Sequence, residues 1–334
     1  MKDVYILGIE SSCDETACSI VKNGNEIVSS IVLSQIDIHT KFGGVVPEIA
    51  SRKHVEAITI VIEECLEKAN MSINDVDAIA VTKGPGLIGS LLVGLEAAKT
   101  LAFIYDKPLI PVHHIAGHIY ANNLVKEIKY PCLALVISGG HTELVHIPKE
   151  YTFEVLGTTL DDAVGECYDK VARVIEVGYP GGPVIDKLAK DGTLKYKLPT
   201  PLNDDSYNFS FSGLKSAVIN LAHNEKQRGF DIDKESLAYS FQEVVSDVLT
   251  KKTKKALKEF NIKYFITAGG VAANSEIRRK LSNMCEENDI EYSFPNISFC
   301  TDNASMIAAA GYFLYKRGVS ATLDLNAEST ISLK

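Results

Sequence analysis

The stretch His113-His114-Ile115-Ala116-Gly117-His118 places two histidines four residues apart. If Ile115 to Lys126 is helical, as the pattern predicts, His114 and His118 lie a turn apart on one face and can share a metal ion. The spacing is that of the H-E-x-x-H helix of zinc peptidases, yet Ile115 stands where their catalytic glutamate belongs. Two imidazoles rarely complete a site, so an oxygen ligand must come from elsewhere in the chain. Asp302, in "CTDNASMIAAAGYF", stands just before a helical stretch and is the best candidate, the competing explanation being that it only caps that helix. Spacing alone leaves a metal site and two ordinary buried histidines as open alternatives.

The second signal is a set of glycine turns. Gly84-Pro85-Gly86-Leu87-Ile88-Gly89 satisfies G-x-G-x-x-G, but it does not open the chain, and the next strand, "PLIPVHH", ends in histidines instead of an acid. A dinucleotide site is therefore rejected, leaving a tight turn whose glycines admit a close backbone or ligand. Ser138-Gly139-Gly140, Gly181-Gly182 and Gly269-Gly270 each border a strand or a helix start. Turns of this kind aim successive N–H groups at one point and bind phosphate without lysine, so three of them favour a nucleotide site.

These residues need a scaffold, and the chain alternates strand-like and helix-like segments throughout, which sets the class as α/β. "DVYILGIESSCDETACSIVKNGNEIVSSIVL" predicts three strands turning near Ser11 to Glu15 and at Asn23-Gly24-Asn25. "YPCLALVISGGHTELVHIPKEYTFEVLGTTL" repeats that grammar, and the units "VDAIAVTKGPGLIGSLLVGLEAAKTLA" and "IKYFITAGGVAANSEIRRKLSNM" also match each other. An internal duplication follows, giving two similar lobes around a central cleft. The first lobe is expected to span residues 1–130 plus about 305–334. The second spans 131–304, with a loop and helical insertion at about 195–247.

With 334 residues the chain is long enough for two cores, and its 46% hydrophobic and 23% charged residues are ordinary for a globular protein. No apolar run is long enough for a membrane span, and the start, "MKDVYILGIE", fits a first strand better than a signal peptide. Seven cysteines without a C-x-x-C pair argue for reduced thiols, and the expected compartment is the cytoplasm. A net charge of -9 argues against broad nucleic-acid binding, so any such contact must be local or shared with a partner. The local candidate is the run Lys251, Lys252, Lys254, Lys255 and Lys258, unless those lysines form only a solvated helix face.

Taken together, "GIESSCDET", "KGPGLIGSL", "KTLAFIYDKPLIPVHHIAGHI", "ISGGHTEL", "FSFSGLKSA", "TAGGVAAN" and "TDNASMIA" resemble the tRNA N6-adenosine threonylcarbamoyltransferase family, bacterial branch (TsaD or Gcp), formerly labelled an O-sialoglycoprotein endopeptidase. The resemblance is colinear and covers essentially the whole chain. It implies ribonuclease-H-like lobes of the actin, hexokinase and Hsp70-like superfamily. It also implies transfer of threonylcarbamoyl from threonylcarbamoyl-AMP to N6 of adenosine 37, in tRNAs reading codons that begin with A, with release of AMP. Carried onto matching positions, the metal ligands are His114, His118 and Asp302, holding one iron(II) or zinc. The substrate contacts are Val136, Ile137, Ser138, Gly139, Gly140, Asp169, Gly182, Asp186 and Asn274. Glu10 stands where the superfamily places an acid facing phosphates; it and Ser138 are the catalytic candidates. At Val136 the archaeal and eukaryotic branch can carry a tyrosine that adds a metal ligand. The implied nucleotide is the adenylate, or ATP, ADP or AMP. The implied partners are tRNA, the paralogue TsaB and the ATPase TsaE, with no membrane. The rival readings are a small-molecule kinase or ATPase, and a non-catalytic nucleotide-binding regulatory module, of the same fold.

Overall fold

The computed structural model describes residues 2–333. The chain divides into two compact units, Met1–Ile128 with Pro295–Lys334, and Lys129–Phe294. The return to the first unit thus begins at Pro295, earlier than the expected point near residue 305, and carries Asp302 into the unit that holds the histidines.

In the first unit, β1 (Tyr5–Glu10), β2 (Glu15–Lys22) and β3 (Glu26–Ser34) form an antiparallel meander. Its second turn has Asn23 and Gly24 both at positive φ (52° and 73°), the conformation for which Asn-Gly is suited. The short α1 (Ile36–Thr40) and long α2 (Pro47–Ala69) lead to β4 (Ala78–Gly84), which pairs parallel to β1. Helix α3 (Ile88–Ile104) crosses to β5 (Leu109–His113), which runs directly into α4 (His114–Tyr120). The sheet order is β3-β2-β1-β4-β5. Strands β1, β2 and β4 are nearly all buried, as expected for a sheet covered on both faces.

The second unit repeats this plan. An antiparallel meander of β6 (Cys132–Ile137), β7 (Thr142–Ile147) and β8 (Glu154–Thr158) is followed by α5 (Val164–Val174), α6 (Gly181–Ala189), α7 (Ser212–Gln227) and α8 (Lys234–Glu259). Then come β9 (Tyr264–Ala268), α9 (Ser275–Glu287) and β10 (Glu291–Ser293), giving the order β10-β9-β6-β7-β8 with β9 parallel to both neighbours. Two sheets of one topology and one pattern of strand directions confirm the duplication. The expected insertion boundary at 247 falls inside α8, because Val245, Val248, Leu249 and Ala256 continue one buried stripe at helical spacing.

Helix α10 (Ala304–Lys316) closes the first unit against β1, β2, β4 and α4. Gly8 and Gly117 permit that approach: a Cβ on Gly8 would lie 2.4 Å from the Ala304 carbonyl, and one on Gly117 2.7 Å from Ile307 Cδ1. All seven cysteines are free thiols, with Cys13 alone partly exposed. Among the described residues no helix is long and apolar enough to cross a membrane.

Candidate functional site

Strand β5 delivers two histidines into a short, wholly buried helix. The Nδ1 of His113 accepts the Ile115 N–H (3.1 Å) and so caps α4, which ends at Tyr120 and continues as a 3-10 turn, Ala121–Leu124. The helix is therefore shorter than the expected Ile115–Lys126, but it still contains the turn that stacks His114 over His118. Their rings meet edge to face with centroids 4.7 Å apart.

Asp302 stands two residues before α10. The cap of that helix is Asn303, whose Oδ1 accepts the Met306 N–H (2.9 Å). The competing explanation for Asp302 thus fails, and its carboxylate is directed at the histidines: Oδ1 lies 3.1 Å from His118 Nε2 and 3.5 Å from His114 Nε2. The three ligand atoms all lie within 4.8 Å of one another. Ligands about 2.0–2.1 Å from one ion, at tetrahedral to octahedral angles, are separated by about 2.9–3.4 Å, a range that the Asp302–His118 pair (3.1 Å) meets and the Asp302–His114 pair (3.5 Å) closely approaches. Two imidazoles and one carboxylate suit zinc or iron(II) better than magnesium or calcium.

Glu10 supports this centre from behind. It is fully buried; its Oε1 accepts the Ser12 N–H, and its Oε2 accepts from Thr82 Oγ1 (2.7 Å) and from His114 Nδ1 (3.1 Å). A proton of His114 therefore belongs on Nδ1, and Nε2 is the nitrogen that faces Asp302 and would bind a metal ion. Burial pulls the His114 pKa down, but Asp302 and Glu10 outweigh it and hold the imidazole at about 9. Burial likewise opposes the Glu10 charge, and His114 and Thr82 keep its pKa below the ordinary value. A metal ion entering here must displace a proton. His118 has no such support: its buried Nδ1 lacks a hydrogen-bond partner among the described residues. Ile115, the residue in place of a peptidase glutamate, is 1% exposed and packed in the core.

Sequence reasoning missed two neighbours. Burial, with Asp302 and Asp14, pushes Glu15, the first residue of β2, up to about 10. His54 binds the β1–β2 turn, pairing with Thr16 Oγ1 (2.8 Å) and donating to the Cys13 carbonyl (2.9 Å). The motif "GIESSCDET" carried the signal for the first; nothing near His54 in the sequence pointed to the second.

The Gly84-Pro85-Gly86 turn is a packing device. A Cβ on Gly84 would lie 2.0 Å from the Glu328 carbonyl, and one on Gly86 2.7 Å from Ser12. Atoms of Glu328, Ser12 and Leu91 fill the space its glycines leave.

In the second unit the turn Ser138–Gly140 follows β6. Ser138 N–H donates to the His141 carbonyl (2.8 Å), and Ser138 Oγ accepts the His141 N–H (3.0 Å), so this hydroxyl shapes the turn. Gly165 and Gly269 press on it: a Cβ on either would come within 2.5 Å of the Ser138 or Ile137 carbonyl. Gly139, Gly140, Gly182 and Gly270 are the opposite case, with nothing within 4 Å of an added Cβ, which marks open backbone. Val136 and Ile137 are fully buried, so their side chains present nothing to a ligand, and the open surface begins at Ser138.

The remaining polar candidates join helix starts. Asp169, its pKa raised by burial despite the Gly181 N–H it accepts (2.7 Å), anchors the N-terminus of α6. Asp186 accepts from Ser275 N–H (3.2 Å) and Oγ (2.8 Å) at the start of α9, and Asn274 caps that helix through Ile277 N–H while donating to Gln242 (2.8 Å). The lysine run divides: Lys251 binds Asn203, Lys252 binds Asp204 and the Ser206 carbonyl, and Lys255 binds the Asp205 carbonyl. These three bind a loop of their own unit, Lys251 from an exposed position, while Lys254 and Lys258 also keep to the solvated face.

A sequence profile described as tRNA N6-adenosine threonylcarbamoyltransferase (TsaD) matches residues 26–309. The Staphylococcus haemolyticus protein of that name is 58% identical over 334 residues, covering 100% of this chain and 98% of the relative. The Bacillus cereus (strain ATCC 14579) protein, with the same name, is 58% identical over 335 residues, again covering 100% and 98%. Among solved structures, full-length HypF in its phosphate- and nucleotide-bound form superposes with TM-score 0.63 at 15% identity, covering 94% of this chain and 46% of HypF. That likeness is one of fold.

Proposed function

This chain belongs to the tRNA N6-adenosine threonylcarbamoyltransferase family and is a transferase acting in tRNA modification; from that premise we propose how its residues divide the work. The donor is threonylcarbamoyl-AMP and the acceptor is N6 of adenosine 37. The observation that carries the reading is the convergence of His114 Nε2, His118 Nε2 and Asp302 Oδ1, with Glu10 fixing the first ring and no glutamate at position 115. A divalent ion held there, iron(II) or zinc, would supply positive charge against an oxygen of the donor.

The absence of a glutamate at 115 suits this donor. A peptidase must activate water and protonate a poor leaving group, whereas an acyl adenylate already carries a good one, AMP, and activated water would destroy it. Ile115 keeps that position apolar. The open N–H groups of Gly139 and Gly140, and of Gly182 at the start of α6, are suited to phosphate and carbamoyl oxygens, as oxyanion-stabilising donors are. Asp169, Asp186 and Asn274 hold the helix starts in place around them. Catalysis is then positioning of a weak amine, without a covalent enzyme intermediate. Ser138 serves the turn, and Glu10 serves His114.

The partners are tRNA, a paralogue of the TsaB type and an ATPase of the TsaE type, in the cytoplasm. The first unit offers exposed apolar residues for docking on α2 (Val55, Ile60) and α3 (Ile88, Leu92). A net charge of -9 fits a protein that needs help to hold tRNA. The test is transfer of labelled threonylcarbamoyl from its adenylate to unmodified tRNA, partners present, with His118→Ala as control. The expected result is labelled tRNA and AMP from the wild type, and loss of metal and transfer but not of fold in the variant. Full activity in a metal-free variant would overturn the role given to the centre.

A further inference from the structure

The tail after α10 returns to β5, the strand that runs into the helix bearing His114 and His118. At Ala321 its N–H donates to the Leu109 carbonyl (2.8 Å), at the beginning of β5. Farther on, Glu328 N–H donates to the Lys83 carbonyl (2.9 Å), its carboxylate pairs with Lys83 Nζ (2.6 Å), and Ser329 accepts the Gly86 N–H (3.2 Å). Gly84 has no side chain where the Glu328 carbonyl sits. At the end of β5 the Ile331 carbonyl lies 3.2 Å from His113 Nε2, and Leu333 is buried.

The hydrogen bonds of His113 leave one consistent tautomer. Its Nδ1 accepts the Ile115 N–H, so the ring proton is on Nε2 and is donated to Ile331. One imidazole therefore links the tail to the first turn of α4, one residue before the ligand His114. Covering the open edge of β5 would require only ladder contacts. Here the tail also binds the side chain of the strand's last residue, His113, which caps the helix that bears both histidine ligands.

We propose that residues 328–333 are a positioning strap for the metal centre: through the Ile331 carbonyl they fix His113, and His113 fixes the start of α4 so that His114 and His118 meet Asp302 without reorganisation. The inference rests on the metal centre proposed above. His113 is a positioning residue in it.

The test uses zinc alone as probe on the full chain, reading the rate at which a chelator removes it. Two variants break the same bond from opposite ends. His113→Asn keeps a capping oxygen for Ile115 N–H but is too short to reach Ile331, and a chain ending at Ser329 keeps the Lys83 and Gly86 contacts but loses Ile331. Partners of metal ligands typically change affinity 10–100-fold, and this one acts a step farther out, so zinc loss should quicken about tenfold in each variant. The double variant should lose zinc no faster than either single one, because both remove one bond. Wild-type zinc retention in His113→Asn overturns the proposal, as do fully additive effects or a fall in thermal stability with retention unchanged. A wild-type chain that binds no zinc, while still transferring threonylcarbamoyl, brings down the metal reading and the strap together. Transfer failing while the zinc pattern holds leaves the strap standing and removes only the reaction.

Discussion

Exchanging Glu10 for glutamine changes one atom's hydrogen-bonding sense in a site that cannot accommodate the change. The Ser12 N–H is an obligate donor, so the amide oxygen must face it, which turns the new NH2 toward Thr82 and His114. Thr82 can accept, because its hydroxyl rotates. His114 then either makes Nδ1 an acceptor for the NH2, which moves its proton to Nε2, the atom that would hold the metal, or turns its Nδ1 proton to Ser12 Oγ (3.2 Å) and loses the carboxylate that fixed the ring. Flipping the amide restores His114 but sets two donors against each other at Ser12. Each arrangement works against metal binding, and outer-shell losses of this kind cost 10–100-fold in affinity, about 1.4–2.7 kcal/mol. Chelator competition with zinc, on wild type and Glu10→Gln, measures the difference. Thermal unfolding of both without metal separates it from a folding defect. Wild-type zinc affinity in a well-folded Glu10→Gln protein would refute the tautomer argument, and with it the role given to Glu10.

Further consequences can be checked in the same preparations. Ile115→Glu restores the H-E-x-x-H pattern but buries a carboxylate in an apolar core; chemical denaturation should show a loss of at least about 2 kcal/mol, and peptide hydrolysis should remain absent. Gly182→Val adds a side chain where nothing stands within 4 Å, so unfolding should be little changed while affinity for AMP, measured by calorimetry, falls at least about tenfold. Asp161 accepts from the N–H groups of Phe211 and Ser212 at the start of α7; burial opposes its charge, but the Ser210 and Ser212 hydroxyls and those N–H groups hold its pKa at about 2. Because the folded value lies below the ordinary one near 3.9, its stabilisation is fully present above about pH 4 and disappears as pH falls through about 2. Asp161→Asn should remove that acid-limb dependence in denaturant titrations.

The meanders, their turns and the parallel strands beyond them were legible because alternation and Asn-Gly turn chemistry are local. The matching order of two sheets followed from repeated grammar alone. What sequence could not reveal were long-range partnerships. Glu10 looked like an acid for phosphates, and only the fold places His114 against its Oε2. The lysine run looked like one face, but Lys252 is consumed by Asp204 from a loop far back in the chain. Val136 and Ile137 share a motif with Ser138, yet strand pairing buries them. Asp302 was found by its place before a helix, and its freedom to act depends on Asn303, one position on, taking the cap.

The return of the chain at Pro295 also has a temporal consequence. During synthesis the first sheet and both histidines are made before the second unit, whereas Asp302, α10 and the residues that follow are made after it. The nascent first sheet must wait with the face meant for α10 uncovered. The three candidate ligand residues can meet only after the second unit has been made. A chain broken off before Pro295 would carry His114 and His118 without Asp302, and would leave bare the apolar face that α10 covers.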